Sequence, residues 1–472
     1  MSYLPHILIT DALIYFLLVL VVGFAVYASR HEHLRAPWRQ VFNRPLAVAA
    51  LMVLSVYISI GLADSVHLRE RISDTGADRA DMEAQYSHQV ISLLDIFLGS
   101  LRQHSEKTYS MPFATHAFSM ETVIGQDGSV RREHPRLLYG GAHLKDISKR
   151  GQDIAVKTVT GILVGLIAWL LFAVLIIKVV AVRTHMAAGA LWLRIKRGDT
   201  RFPWRSALST GAVISAIVSA LIVLSGNYHV LGTDQVGNDV LYKSLKSIRT
   251  GLLIGTLTTL VMLPFAVSLG IMAGYLRGWV DDVIQYTYTT LSSIPGVLLI
   301  AAAILSLQVY MTANPEQFTT VAERSDMRLL FLCIILGGTS WTGLCRLMRG
   351  ETLKLREVDY IQAAVALGVP TRKIMLRHIF PNVMHIVLIS VVLDFSGLVL
   401  AEAVLSYVGV GVDPAMDSWG NMINGARLEM AREPMVWWSL SAAFVFMFGL
   451  VLSANLFSDA VRDAFDPRLR KR

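Results

Sequence analysis

The chain has 472 residues, 54% of them hydrophobic and 17% charged, with a formal net charge of +8 and a mean hydropathy of +0.52. Soluble proteins carry about a quarter charged residues, so a length that would otherwise make about three soluble domains reads as a polytopic membrane protein. The basic excess does not point to nucleic acid, because no soluble face shows a basic patch with interleaved aromatics; Arg and Lys at cytoplasmic span ends explain the sign better. Cys333 and Cys345 lie in or beside one apolar run, which suits buried thiols and neither a disulfide nor a metal pair. His31 and His33 flank Glu32 but lack the spacing of a zinc helix, so no metal site is expected.

In chain order, Ile7–Ala28 is long enough to span a bilayer at about twenty residues. It has no positive leader region or cleavage site, and Arg30, Arg35, Arg39 and Arg44 follow it, so it reads as a retained helix with its N-terminus outside. Pro45 or Leu46 to Ala63 returns. Asp64–Asp153 is different material: mixed charge, turn signals at Gly125-Gln126-Asp127-Gly128 and Gly140-Gly141, a helix written over Asp81–Leu101, and a small α+β module or ordered loop in the remainder. Ile154–Val182 is a third span. The basic run Arg183–Arg205 after it reads as cytoplasmic, which puts the preceding module outside, and Met186–Lys196 suits an interfacial helix.

Six spans follow, at Ser206–Ser225, Thr250–Ala273, Val283–Leu307, Leu329–Leu347, Val383–Val404 and Val436–Leu456, making nine with the C-terminus inside. Gly161-xxx-Gly165, Gly251-xxx-Gly255 and Gly270-xxx-Gly274 put small residues on one helix face. Two readings are open there: close helix approach, or the ordinary abundance of glycine in membrane helices.

Between two of these spans lies a basic amphipathic stretch, Asp359–Asn382. Asp359, Tyr360, Gln362, Ala363, Ala364 and Leu367 suit a short helix, with Gly368 as its stop. Pro370 suits the first turn of a second helix carrying Arg372, Lys373 and Arg377, with Pro381 closing it. Such a knob is suited to docking, not catalysis; the plainer reading is an interfacial loop with snorkelling basic side chains.

From about His229 onward the order of motifs resembles the permease subunit of oligopeptide/dipeptide-type ABC importers, across roughly the second half of the chain. The resemblance is carried by Leu231-Gly-Thr-Asp-Gln-Val-Gly-Asn-Asp-Val240, Ala273-Gly-Tyr-Leu-Arg-Gly-Trp-Val-Asp281, the Asp359–Asn382 stretch, Ala401-Glu-Ala403, Leu405–Val412, Ser418-Trp-Gly-Asn-Met422 and Val461–Leu469. Asn238 stands where the family usually has Arg, and Gln362 at the usual Glu of the coupling loop. Residues 1–205 have no counterpart in the ordinary pattern.

The fold the resemblance implies is all-α: a six-helix type I permease core in 206–472, with its transmembrane domain at about 248–457 and a coupling loop at 359–382. Two extra spans in 1–63, an extracytoplasmic module at 64–153 and a further span with a basic linker in 154–205 would precede it. No phosphate-loop motif is present, so no enzymatic activity and no cofactor are expected. Implied partners are two cytoplasmic ATPase subunits, a second homologous permease subunit, an extracytoplasmic substrate-binding protein and the bilayer of the bacterial inner membrane. The implied ATPase-coupling residues are Asp359, Tyr360, Gln362, Ala363, Ala364, Leu367, Gly368, Arg372, Arg377 and Pro381.

Charged residues within spans are expensive, about 2.5–3.5 kcal/mol at the centre. Asp394 therefore either lines a substrate path or makes an interhelical hydrogen bond or stays protonated, and Glu402, at the family's Ala-Glu-Ala position, suits a shared structural role. Asp234, Asp239 and Trp419 are candidates for a binding-protein dock, with helix capping the plainer role for the two aspartates. The implied cargo is peptides or similar small solutes. Nickel chelates, opines, sugars or an exported peptide are alternatives, and a sensor or scaffold acting through 64–153 is the reading from another class.

Overall fold

The computed structural model describes residues 3–71, 86–124, 130–314, 316 and 320–465. Among them, nine helices are long and apolar enough to cross a membrane, each over an apolar run of the sequence. A short strand β1 (Tyr3–His6) precedes α1 (Ile9–Arg30), α2 (Glu32–Phe42) and α3 (Pro45–Asp64). Then come β2 (His67–Arg71), β3 (Tyr86–Ser92), the short helices α4 (Leu93–Phe97) and α5 (Gly99–Gln103), β4 (Glu121–Ile124) and β5 (Val130–Glu133). The helices α6 (Arg150–Arg183), α7 (Ala188–Arg197), α8 (Trp204–Ser225), α9 (Val240–Leu276), α10 (Trp279–Ser293), α11 (Gly296–Ala313) and α12 (Val321–Arg356) follow. The chain closes with α13 (Asp359–Ala366), α14 (Thr371–Ile374), a π-helical turn (Met375–Ile379), α15 (Phe380–Tyr407), α16 (Trp419–Glu429) and α17 (Trp438–Phe465).

Two compact units divide this material. The first comprises Met1–Pro5, Trp38–Arg249 and Asp417–Phe457. Its main helix pair is α6 with α8, and the small residues of α6 explain the contact. A Cβ on Gly161 would sit 2.6 Å from the Ala220 Cα, and one on Gly165 would sit 2.5 Å from the Ser215 carbonyl oxygen. Close backbone approach is therefore the reading that holds for this glycine pair. The segment after α3 carries an antiparallel β2–β3 pair and a β4–β5 hairpin. The helix expected over Asp81–Leu101 is replaced: Tyr86–Ser92 is a strand, and Asp81–Gln85, like the Gly125–Gly128 turn, lies outside the described residues. Ser92 stops the strand by forming a capping box with Asp95, in which each side chain accepts the other residue's N–H, at 3.1 and 2.9 Å.

The second unit comprises His6–Pro37, Thr250–Met416 and Ser458–Arg472. Its two hydrophobic cores lie at opposite stretches of α12, one around Leu329, Leu332 and Leu336 and the other around Trp341, Leu344 and Met348. Gly270 and Gly274 let α9 meet α12, since a Cβ there would fall 2.6 Å from the Cβ atoms of Met348 and Thr352. The span expected over Val283–Leu307 is broken and shifted: α10 ends at Ser293, α11 begins at Gly296, and Gly296–Ala313 is the helix long and apolar enough to cross a membrane. Pro295 is the cause, because it lacks an N–H and drives Ile294 to extended backbone (φ −85°, ψ 130°). Pro381 behaves oppositely. It does not close the second helix of the basic stretch but follows directly on the π-helical turn Met375–Ile379, at the start of α15, and Thr371–Tyr407 runs on as one helical stretch.

Candidate functional site

The basic stretch of the second unit is a folded elbow between α12 and α15. α13 ends in a reversal in which Val369 N–H donates to Ala364 O at 3.0 Å and Gly368 N–H to Val365 O at 3.0 Å. Gly368 supplies the left-handed residue this turn requires, at φ 74°. Pro370 then serves as N-cap of α14, its carbonyl accepting from Lys373 N and Ile374 N. Three isoleucines, Ile361, Ile374 and Ile379, are buried in the core with Tyr275, Ile284 and Trp341, so the elbow is anchored from beneath. Asn382 ties its two arms together, donating to the Tyr360 hydroxyl at 3.0 Å and the His378 carbonyl at 2.6 Å.

The outer side of the elbow is left open. Tyr360, Val365 and Leu367 are exposed, Leu367 at 83%. Asp359, Gln362, Ala363 and Pro381 are exposed with them, Gln362 reaching the Glu357 carbonyl at 3.4 Å. Ala364 is the exception. It turns inward at 8% exposure, so the apolar face is built on Tyr360, Ala363 and Leu367 without it. The guanidinium groups of Arg372 and Arg377 and the Lys373 ammonium are exposed and make no hydrogen bond or ion pair among the described residues. An apolar knob ringed by uncommitted cations can seat in a groove with acidic walls.

Further along α15, Asp394 is half-buried and makes no hydrogen bond or ion pair among the described residues. Glu402 is buried and accepts a hydrogen bond from the Ser406 hydroxyl at 2.8 Å, a role within its own helix.

In the first unit, the turn before α9 is packed shut. One Asp234 carboxylate oxygen accepts from Val236 N and Asn238 N at 3.0 and 2.8 Å, and the other pairs with Lys243. Asp239 caps α9 by accepting from Leu241 N at 2.8 Å and Tyr242 N at 3.3 Å. Its second oxygen meets His229 Nδ1 at 2.8 Å, and His229 Nε2 faces Glu106 Oε1 at 3.4 Å. Glu106 in turn accepts from the backbone of Leu138, Tyr139 and Gly140 at 2.9, 2.8 and 3.2 Å. Burial opposes charge on His229, but Asp239 and Glu106 hold its pKa up to about 9. Burial likewise opposes the Glu106 charge, yet His229 and the three backbone N–H groups hold that carboxyl down at about 2.

The segment 104–118 fits against this turn atom by atom. Gly237, at φ 83°, leaves room for the Glu106 carbonyl, 1.8 Å from where a Cβ would be. Thr233 donates its hydroxyl to Thr108 O at 2.8 Å and its N–H to Ser110 O at 3.1 Å, while the Trp438 indole donates to Thr233 O at 2.9 Å. Trp419 is buried at 1% exposure and donates to Ser244 O at 3.1 Å. Asp234, Asp239 and Trp419 therefore offer no open dock; the two aspartates act as turn and helix caps. Neighbouring Lys246 is held by Asp95 at 2.9 Å and Asp64 at 3.4 Å. Nothing in the sequence links Glu106 to a histidine 123 positions away, or Lys246 to Asp95 across 151; the composition of 64–153 is the only local signal that it holds structure.

Residues 266–471 match the model of the binding-protein-dependent transport system inner membrane component. The oligopeptide transport system permease protein OppC of Mycobacterium tuberculosis is 32% identical over 252 residues, 53% of this chain and 80% of that protein. OppC of Haemophilus influenzae is 31% identical over 254 residues, 54% of this chain and 75% of that protein. The glutathione transport system permease protein GsiD of Pectobacterium atrosepticum is 32% identical over 242 residues, covering 51% and 73% of the two chains.

Proposed function

This chain belongs to the family of inner-membrane components of binding-protein-dependent transport systems, and from that premise we propose that it forms half of the pore of an importer for peptides or similar small solutes. It is a multi-pass inner-membrane protein and not itself an enzyme. On this reading a second homologous permease completes the pore, two cytoplasmic ATPase subunits drive it, and an extracytoplasmic binding protein delivers cargo. The N-terminus lies outside and the C-terminus inside, because the basic stretches Arg183–Arg205 and Arg346–Arg377 fall on one side of the alternating spans.

The observation that carries the reading is the open elbow at Asp359–Ile379. Its inner face is fixed in the core by Ile361, Ile374 and Ile379, and its outer face presents Tyr360 and Leu367 beside unpaired Arg372 and Arg377. A rigid knob continuous with α15 transmits ATPase closure as movement of a span, the way packed helices convert local events into rigid-body shifts. Asp394, uncommitted on the same helix, is the group we assign to the substrate path, and a cationic end of the cargo is its match. Within the first unit, the segment 64–153 serves as a brace, holding the turn Leu231–Asp239 from outside the membrane.

The test is affinity purification of the full chain from its native membrane in mild detergent, with wild type beside Leu367→Glu. Co-purification of an ATPase pair and a second permease with wild type, loss of the ATPases in the variant and vanadate-sensitive hydrolysis only in the former are expected. A well-preserved complex that contains no ATPase would overturn the importer reading and leave a scaffold acting through 64–153.

A further inference from the structure

Within the second unit a cleft of about 860 Å³ opens between α1, α9 and α15. Phe24 forms one wall, Pro264 and Val267 a second, and Phe380 and Leu388 a third. It lies toward the end of α9 and the beginning of α15, the same end of the helices as the elbow. Its size falls in the usual range for small-molecule sites, about 300–1,000 Å³, and so does its character: apolar walls with very few polar groups that fix orientation. Arg372 supplies the one charge, at the elbow end, and its guanidinium has no partner among the described residues.

We propose that this cleft binds one anionic phospholipid, its acyl chains against Val267, Phe380 and Leu388 and its phosphate on Arg372. The proposal rests on the membrane reading above, which places the elbow at the cytoplasmic surface. Three features select this occupant. The walls belong to membrane-spanning helices, so hydrocarbon chains reach them without crossing water. The cationic group stands at the depth of a headgroup, where an arginine extends from its helix to meet phosphate. Basic pockets between spans on the cytoplasmic side are sites at which acidic headgroups collect. Pro264 contributes to the opening as well: it has no N–H to donate within α9, and the Ser268 hydroxyl turns back to its carbonyl instead of into the cleft. A lipid held there touches the elbow and the span it moves, so the acidic lipid content of the membrane would set the stiffness of that joint.

The experiment is native mass spectrometry of the full chain released from nanodiscs containing equal amounts of phosphatidylglycerol and phosphatidylcholine with identical acyl chains. Wild type should retain one phospholipid, with phosphatidylglycerol favoured about fivefold, the preference expected of one arginine at a headgroup. Arg372→Gln should bring that preference close to parity while a lipid is still retained. Val267→Trp and Leu388→Trp, which fill the cleft from two different helices, should each remove the retained lipid from a chain that still elutes as a single species. Equal retention of the two lipids by wild type, or full retention by both filled variants, would refute the site. So would efficient cross-linking of Leu388→Cys to a second permease subunit, which would make the occupant a protein helix. Lipid retention without ATPase co-purification would sink the importer reading but not this site, and the reverse pattern would sink only the site.

Discussion

The two motif-rich turns of this chain look alike in sequence and differ in what they leave unsatisfied. Around Leu231–Asp239, Asp234, Asp239, Thr233 and Gly237 are each committed to a neighbour within the first unit. Around Asp359–Ile379 the inner side is equally committed, but Leu367, Lys373 and Arg377 are exposed and the two cations make no hydrogen bond or ion pair among the described residues. Both turns rest on a glycine with positive φ, at 83° for Gly237 and 74° for Gly368. One of these glycines is jammed against a backbone carbonyl and the other has nothing within 4 Å of its missing Cβ. A signature motif can therefore mark an internal joint or an external contact, and only the count of uncommitted groups tells them apart.

The sharpest way to break the comparison is to remove 104–118. That deletion strips partners from Thr233, His229 and Gly237 together, and the chain should fail to accumulate as a monodisperse species in detergent. Next comes Gly237→Ala, which must displace the Glu106 backbone and should cost more than about 3 kcal/mol in thermal or denaturant unfolding. Gly368→Ala, in open space, should cost only the left-handed penalty of about 1–2 kcal/mol; equal losses at the two sites would erase the distinction. Leu367→Glu should leave the unfolding temperature of the chain where it was and weaken ATPase retention at least about tenfold, or ~1.4 kcal/mol. A separate readout of the His229 node is its pH dependence. His229 is held up to about 9 from an ordinary 6.5, so its contribution is full below pH 6.5 and is lost as pH rises through about 9. Glu106, held at about 2 from an ordinary 4.5, contributes above pH 4.5 and loses its share as pH falls through about 2. Unfolding temperature should fall between pH 6.5 and 9 in wild type, and this slope should flatten in His229→Gln.

Much of the fold is legible without coordinates because long apolar runs have few alternatives: in a bilayer the backbone must satisfy itself, and helices do so locally. The elbow is equally legible, since Gly368 and Pro370 dictate local geometry through their own φ preferences. Hydropathy misses the Ile294–Pro295 break because it averages over the one residue that lacks a donor. It also cannot tell that Ala364 points inward while Ala363 points out, a matter of which side of α13 meets Ile361. The His229 node is illegible for a different reason. Its parts are Glu106, Asp239 and three backbone N–H groups contributed by distant segments, and no local pattern encodes a meeting between them.

The dovetail between Gly237 and the Glu106 carbonyl gives the segment 104–118 a direction in time. An added segment that merely hangs from its host can be lost as easily as it was gained. Here, loss in one step would leave the His229 Nε2 and the Thr233 hydroxyl short of partners at once, each costing about 1–3 kcal/mol where it stays buried. Substitutions that would ease the loss singly are unfavourable while the segment is present. The interlock works as a ratchet tooth: once seated, residues 104–118 and the turn Leu231–Asp239 can be inherited only together.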